Sequence, residues 1–403
     1  MDAKTFWERF QFDYSLDSQG LYEDLISIEG YKQAALNLVL PPEWRGQLDR
    51  LNRVRAVYGT TALEGNPLSE AEVDSQVEIV EREGEIVDEG ISKEQLQIRN
   101  AARAQAWVRR RFTPGSPPLN LSDILILHQM ITGRSDEDHN IPGQFRTFNV
   151  QVGSTDMGGV HFGAPDDSLG ELMEQFIGAV NSKKFRSNHP VVQALLSHFF
   201  LVTIHPFGDG NGRVSRLLEA GILFQGEYNV LGFYGLSNYF YEHEVEYKKL
   251  LQASRRTQPF DVSPFIKFGV KGFVRELFGI NNFIKTKLNR LVYRQMILQN
   301  YHKRLGARRR VLNVREYNLL EFLLNATEPK DPFSEMPSRR IRYSELREDP
   351  YVRGAYRDVT QRTFYRELVR LSQAGFIKLE WDEEASEIML ELDFGAIGKY
   401  QIS

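Results

Sequence analysis

Apolar residues recur at the 3.6-residue spacing of a helix over most of the chain, and strict alternation is rare. Between Glu43 and Val57, the residues Leu48, Leu51, Val54 and Val57 share one helical face. Glu70 to Arg111 reads as long, acid-rich helix broken near Gly84 and Gly90. Thr113-Pro114-Gly115-Ser116-Pro117-Pro118 is a loop. Ser122 then stands as the cap of a helix carrying Ile124, Leu125, Leu127 and Ile131. The period changes once among these helices. Phe148, Val150 and Val152 alternate with polar residues, Gly153 to Gly159 makes a loop, and Val160 to Phe162 alternates again. That predicts a β-hairpin, too small to be stable without a larger body to lean on.

Further on, Val191, Val192, Leu195, Leu196, Phe199, Phe200 and Val202 make an almost wholly apolar helix that Pro206 stops. A second helix starts near Asn211 and is apolar on one side through Leu217, Leu218, Ile222 and Leu223. After about Asn300 the pattern shifts. Basic residues cluster at Lys303-Arg304 and Arg308-Arg309-Arg310, and a Pro-rich loop runs from Pro329 to Pro337. Thr360 caps a helix with Phe364, Leu368 and Leu371 inward, which Gly375 ends. Two strand-like runs follow, Phe376 to Trp381 and Glu387 to Leu392, joined by the acidic turn Asp382 to Ser386. The order helix, helix, helix, hairpin resembles the winged-helix family.

Composition narrows the classes. At 403 residues, with about 100–200 residues to a domain, the chain should hold two or three units. Hydrophobic residues are 41% and charged residues 26%, which excludes a disordered chain. The 50 Lys+Arg against 54 Asp+Glu leave a net charge of −4, so no general polyanion-binding surface is implied. There is no cysteine, hence no disulfide, Cys-ligated metal or thiol nucleophile. Met1 to Phe12 is charged and aromatic, without the apolar run of a signal peptide. The most apolar stretch, Pro190 to Ile204, is interrupted by Gln193, Ser197 and His198 and is too short for a bilayer. The expectation is a cytoplasmic protein that does not enter a membrane.

The chemistry concentrates in His205-Pro206-Phe207-Gly208-Asp209-Gly210-Asn211-Gly212-Arg213-Val214-Ser215-Arg216. Three alternate glycines leave backbone N–H groups uncovered and feed a helix N-terminus, an arrangement that binds anions. Arg213 and Arg216 lie three apart on one face and offer forked donors to phosphate oxygens. Asp209 supplies hard oxygens for Mg²⁺ held between phosphates, and His205 can take a proton from an attacking hydroxyl. The segment contains no Walker-type loop, and Arg213 stands where a dinucleotide fingerprint needs glycine.

The pattern His-x-Phe-x-Asp-Gly-Asn-Gly-Arg-x-x-Arg resembles the signature of the Fic domain family at every defined position. The resemblance implies a mainly α protein: an all-α core with a β-hairpin flap, followed by the small α+β winged helix. It also implies transfer of AMP from ATP to a Ser, Thr or Tyr hydroxyl of a target protein. By position, His205 would be the general base, and Asp209 would hold Mg²⁺. Gly210, Asn211, Gly212, Arg213, Val214, Ser215 and Arg216 would contact ATP, with Arg216 on the γ-phosphate. Ile141-Pro-Gly-Gln-Phe-Arg146 resembles the lead-in to the flap, which would register the target by main-chain pairing. The stretch Ser237 to Leu250 resembles the wall of the adenine pocket, although Glu244 and Lys248 depart from the family pattern. Tyr247 is the adenine-contacting candidate there, with a core tyrosine as the alternative.

Thr60-Thr-Ala-Leu-Glu64-Gly-Asn66 is similar to the inhibitory motif of the same family. Taken alone it is a helix end with Gly65 as cap and Pro67 as stop. Within the resemblance, Glu64 would pair with Arg216 and keep it from the γ-phosphate. These readings divide the chain into an N-terminal helical region with the inhibitory helix (1–110), a catalytic core with flanking helices (111–300) and a winged helix (301–403).

Three function classes remain open: an adenylyltransferase acting on a target and on itself; a Fic enzyme that removes AMP or transfers another phosphate-bearing group; and a DNA-binding regulator using the winged helix. Arg362, Arg366 and Arg370 on one helix face favour the last, while the acidic wing opposes it. Whether the chain forms a homodimer is not readable from these patterns.

Overall fold

A computed structural model describes residues 3–38, 40–83, 88, 90–134, 139–229, 232, 235–305, 309–329 and 340–395. The expected break at Gly84, the basic Arg308 and most of the Pro329–Pro337 loop lie outside them. The chain is mainly α and divides into two compact units, Met1–Phe278 and Gly279–Ser403.

In the first unit the elements used below are α1 (Ala3–Glu8), α2 (Pro42–Ala62), α3 (Lys93–Arg111), α4 (Leu121–Thr132), β1 (Gln151–Ser154), β2 (Gly159–Phe162), α5 (Pro190–Ile204), α6 (Asn211–Gln225) and α7 (Glu244–Ser254). Helix α6 is central and packs against α2, α3, α4 and α5. Helices α5 and α6 are buried on nearly all sides; α5 is accordingly apolar almost throughout, whereas α6 also buries Asn211, Arg213, Ser215, Arg216 and Glu219. Helix α2 begins at Pro42, where the missing N–H costs nothing, and buries Leu48, Val54 and Val57 as its spacing predicts. It ends in a turn closed by Gly65, whose φ of 84° suits glycine.

Two boundaries differ from expectation. The cap of α4 is Asn120, not Ser122: its side chain accepts from Asp123 N–H at 3.1 Å while Asp123 accepts from Asn120 N–H at 3.0 Å. This reciprocal box satisfies two end donors where Ser122 could satisfy one. The hairpin strands are β1 and β2, antiparallel with Val152 opposite His161, so the first strand starts three residues later than the alternation suggests. The carbonyl of Phe148 is taken by the Arg146 guanidinium at 2.6 Å and does not join the ladder. The hairpin leans on the body: His161 is buried and its Nε2 donates to the Thr203 carbonyl of α5 at 2.8 Å. Trp7 of α1 donates to the Phe162 carbonyl at 3.1 Å.

The second unit contains α8 (Val314–Ala326), β3 (Arg340–Arg342), α9 (Tyr343–Glu348), α10 (Pro350–Ala355), α11 (Gln361–Gln373), β4 (Ile377–Asp382) and β5 (Glu387–Leu392). Thr360 caps α11 by accepting from Thr363 N–H. The sheet order is β3-β5-β4, so β3 adds a strand beyond the expected hairpin. Leu320, Leu346, Phe364, Leu368, Phe376 and Leu390 belong to one core cluster beneath it.

Candidate active site

The chemical segment is built between α5 and α6. Helix α5 ends at Ile204, and His205 caps it in a left-handed conformation, φ 55° and ψ 60°. Such a backbone costs a non-glycine residue about 1–2 kcal/mol and persists where its surroundings enforce it. Arg146 enforces it here. Its Nε donates to the His205 carbonyl at 2.9 Å, and its other nitrogens reach the Phe148 and Ala164 carbonyls. The flap lead-in is thereby tied to the loop.

Below the loop Phe207 is fully buried and stacks on His128 of α4, centroids 3.7 Å apart and rings within 8° of parallel. His128 Nδ1 accepts from Gly143 N–H at 2.9 Å, so its proton is on Nε2, which donates to the Asp209 carbonyl at 3.1 Å. Burial drives its pKa down to about 4 and keeps the ring neutral. Asn140 accepts from Asp209 N–H at 3.0 Å. Asn211 pairs with both backbone groups of Phe207, each at 2.9 Å. His128, Asn140 and Arg146 thus fix the loop. Sequence reasoning gave His128 no role, although a histidine on the apolar face of α4 was the available signal.

A cavity of about 520 Å³ opens above the loop, walled by Glu64, Ser154, His205, Gly212, Arg216 and Tyr247 among others. Burial lowers the His205 pKa to about 4, with the Val202 carbonyl pulling the other way. Nδ1 faces that carbonyl at 3.4 Å, so Nε2 is the nitrogen left to take a proton. A second cavity of about 440 Å³ is walled by Glu64, Gly208, Asp209 and Arg213 among others. Glu64 borders both.

Arg216 is held from three sides. Its NH2 donates to Glu64 Oε1 at 2.6 Å and to the Thr60 carbonyl at 3.0 Å, while Nε donates to the Thr60 hydroxyl at 2.8 Å. The Arg216 side chain is 2% exposed and that of Glu64 34%. Burial pushes the Glu64 carboxyl up, but Arg216 and Arg213 outweigh it and hold it below its ordinary range. A Cβ at Gly212 would lie 2.3 Å from Glu64 Oε1, so a side chain there would push this carboxylate away from the N-terminus of α6. The helix dipole there favours negative charge. Glu64 therefore occupies the position at which an anion is best received.

Arg213 donates to Asp209 Oδ2 at 2.9 Å, and Gly210 N–H donates to Oδ1 at 2.6 Å. The Asp209 carboxylate stays about one-third exposed. Val214 and Ser215 are buried, and the Ser215 hydroxyl donates to the Asn211 carbonyl at 2.8 Å. Those two side chains, and that of Asn211, are spent on the fold, whereas Gly212, Arg216 and Tyr247 wall the larger cavity.

The charged loop and the N-terminus of α6 that it feeds, fixed by the buried Phe207, lie within residues 118–223, which match the Fic/DOC family. The chain is 31% identical over 216 residues to a protein adenylyltransferase Fic of Aedes aegypti, covering 53% of this chain and 39% of that one. It is 33% identical over 173 residues to the protein of that name in Drosophila grimshawi, covering 43% of this chain and 33% of that one. The chain thus spans less than two-fifths of the length of these curated relatives. Among solved structures, a Fic family protein from Desulfovibrio desulfuricans G20 superposes with a TM-score of 0.53 at 18% identity, over 95% of this chain and 98% of that one. Fic-1 from C. elegans gives 0.53 at 22%, over 66% and 73%. At these identities the structures support the fold.

Proposed function

We propose that this protein is an adenylyltransferase that moves AMP from ATP to a hydroxyl of a target protein, and that Glu64 restrains it. The observation that carries the reading is the neutral His205 beside the Gly212 helix end, with Glu64 resting on Arg216. ATP would lie with its phosphates over the α6 N-terminus. The target hydroxyl oxygen attacks the α-phosphorus, its proton passes to His205 Nε2, and the bond to the β-phosphate oxygen breaks to release pyrophosphate. Arg213 and Arg216 hold the charge of the leaving phosphates.

Asp209 fits a Mg²⁺ ion that keeps phosphate and water ligands, because its carboxylate is partly exposed beside the second cavity. Among the described residues no three acidic or histidine side chains gather to make an all-protein cage. A Mg²⁺ ion held by Asp209 would neutralise phosphate charge; the residues of the chain would position the nucleotide and move the proton.

In the restrained state Glu64 takes the guanidinium that the γ-phosphate needs. A hydrogen bond to a charged group is worth about 1.5–3 kcal/mol, so freeing Arg216 should raise transfer at least about tenfold. The test is to incubate the protein and its Glu64→Gly variant with labelled ATP and to resolve the labelled proteins, the enzyme itself included. Stronger labelling in the variant, lost again in Glu64→Gly with Arg216→Ala, is the expected result. Unchanged labelling would make Glu64 a helix-end residue. Loss of AMP removal from a modified target, with no gain in transfer, would favour the reverse reaction.

A second reading concerns the other unit. In that reading α10, α11 and sheet β3-β5-β4 would act as a winged helix; it is supported by Arg362, Tyr365 and Arg366, which are exposed on the N-terminal half of α11. That is the part of such a helix that enters a DNA major groove.

A further inference from the structure

Three titratable side chains meet in the interior of the first unit without a part in the chemistry above. His198 of α5, Glu219 of α6 and Tyr247 of α7 are 0%, 1% and 4% exposed. Glu219 Oε2 lies 2.7 Å from His198 Nδ1, and His198 Nε2 lies 2.9 Å from the Tyr247 hydroxyl. Glu219 Oε1 accepts from Leu236 N–H at 3.1 Å.

Counting protons gives the chain a direction. A carboxylate only accepts, so the His198 proton sits on Nδ1. Burial holds the imidazole below its ordinary pKa and therefore neutral, which leaves the lone pair on Nε2. Tyr247 must donate to that lone pair, and its oxygen then has lone pairs for another donor. Arg216 walls the same cavity as Tyr247, and its charge acts on this hydroxyl. A buried carboxylate is costly without a partner; through two hydrogen bonds Glu219 is linked to the tyrosine that shares a cavity with Arg216.

We propose that Glu219, His198 and Tyr247 form a positioning relay that aims Arg216 at the terminal phosphate of a nucleoside triphosphate once Glu64 lets go. The proposal rests on the reading of Arg216 as phosphate holder. It gives Tyr247 a role through its hydroxyl on Arg216 instead of through contact with the nucleotide base.

Glu219→Gln tests the direction without changing shape. The amide oxygen must keep Leu236 N–H, so the NH₂ faces His198 Nδ1. The imidazole proton then moves to Nε2, and the Tyr247 hydrogen turns towards Arg216, donor against donor. Calorimetric titrations of ATP, ADP and AMP into Glu64→Gly protein supply the readout. The parent should bind ATP about tenfold more tightly than ADP, as expected for one charge-assisted contact, and Arg216→Ala should erase that preference. Glu219→Gln and Tyr247→Phe should each remove most of it while AMP affinity holds. An ATP preference that survives both substitutions overturns the relay. So does a loss that is equal for all three nucleotides in Tyr247→Phe, which would make Tyr247 a base contact. A parent with no ATP preference sinks the Arg216 reading and the relay with it. Nitrogen NMR of ¹⁵N-histidine protein gives a check that needs no variant: His198 protonated on Nδ1 is expected, and protonation on Nε2 refutes the proposal.

Discussion

Two sets of arginines at helical spacing contrast in this chain, Arg213 and Arg216 on α6 and Arg362, Arg366 and Arg370 on α11. Their surroundings are opposite. Both arginines of α6 are buried, and each meets a carboxylate, Asp209 or Glu64. On α11, Arg362 and Arg366 stand exposed with Tyr365 beside them, and Arg370 turns to an acid, the buried Glu316. Charge follows the same division. The first unit holds 28 Lys+Arg against 37 Asp+Glu, and the second 22 against 17. A buried guanidinium costs several kcal/mol unless it is paired, whereas an exposed one is nearly free. Helical spacing identifies a face; burial and counter-ions decide whether that face is a built site or a solvated surface.

The largest effect should come from the built site. His205→Asn, whose side chain tolerates the left-handed backbone, should lower AMP transfer about 10²–10⁴-fold, the usual contribution of a general base, with ATP affinity nearly unchanged. Labelling and nucleotide binding are measured separately. Labelling at the parent rate would remove His205 from the mechanism.

A smaller effect separates the two units by pH. Seven of the eight histidines lie in the first unit, and burial lowers His128 and His205 from 6.5 to about 4. The unfolded chain therefore takes up protons before the folded one, so their stabilisation is full above pH 6.5 and is lost as pH falls towards 4. At 1.36 kcal/mol per unit each could withdraw up to about 3 kcal/mol. Calorimetry from pH 7 to 4.5 should show the first unit melting progressively earlier, with the second less affected. A flat profile would mean that these histidines titrate as they do in the unfolded chain.

The smallest effect belongs to the solvated face. Full-length protein titrated by anisotropy with a mixed-sequence DNA duplex should bind with a salt dependence that weakens when Arg362 and Arg366 are replaced by Ala. Each lost phosphate contact lowers the log–log slope by about 0.9. Binding absent at low salt, or indifferent to both substitutions, would leave α11 a solvated face and sharpen the contrast with α6.

Much of the site was legible because its residues are contiguous. His205 to Arg216 is one turn between two helices, and an apolar helix, a proline stop, alternate glycines and paired arginines are local signals. The apolar spacing of α2, α5 and α11 likewise appears as buried faces, since helical periodicity needs no knowledge of the partner surface. The errors were also local in origin. Asn120 outcompeted Ser122 as cap through its reciprocal bond with Asp123, and Phe148 left the flap ladder because Arg146 claimed its carbonyl.

The residues of this chain by themselves specified a mainly α protein with an anion-receiving loop, because backbone propensity and side-chain chemistry act over one or two turns. Only tertiary structure decided what surrounds that loop. Glu64 stands 152 residues from Arg216 and Tyr247 stands 49 from His198, yet each pair is joined by, or linked through, bonds under 3 Å. His128 supports Asp209 from 81 residues away. Such contacts depend on how helices pack: the Glu64–Arg216 pair was expected only through the family resemblance, and no spacing along the chain encodes which distant acid will share a buried guanidinium.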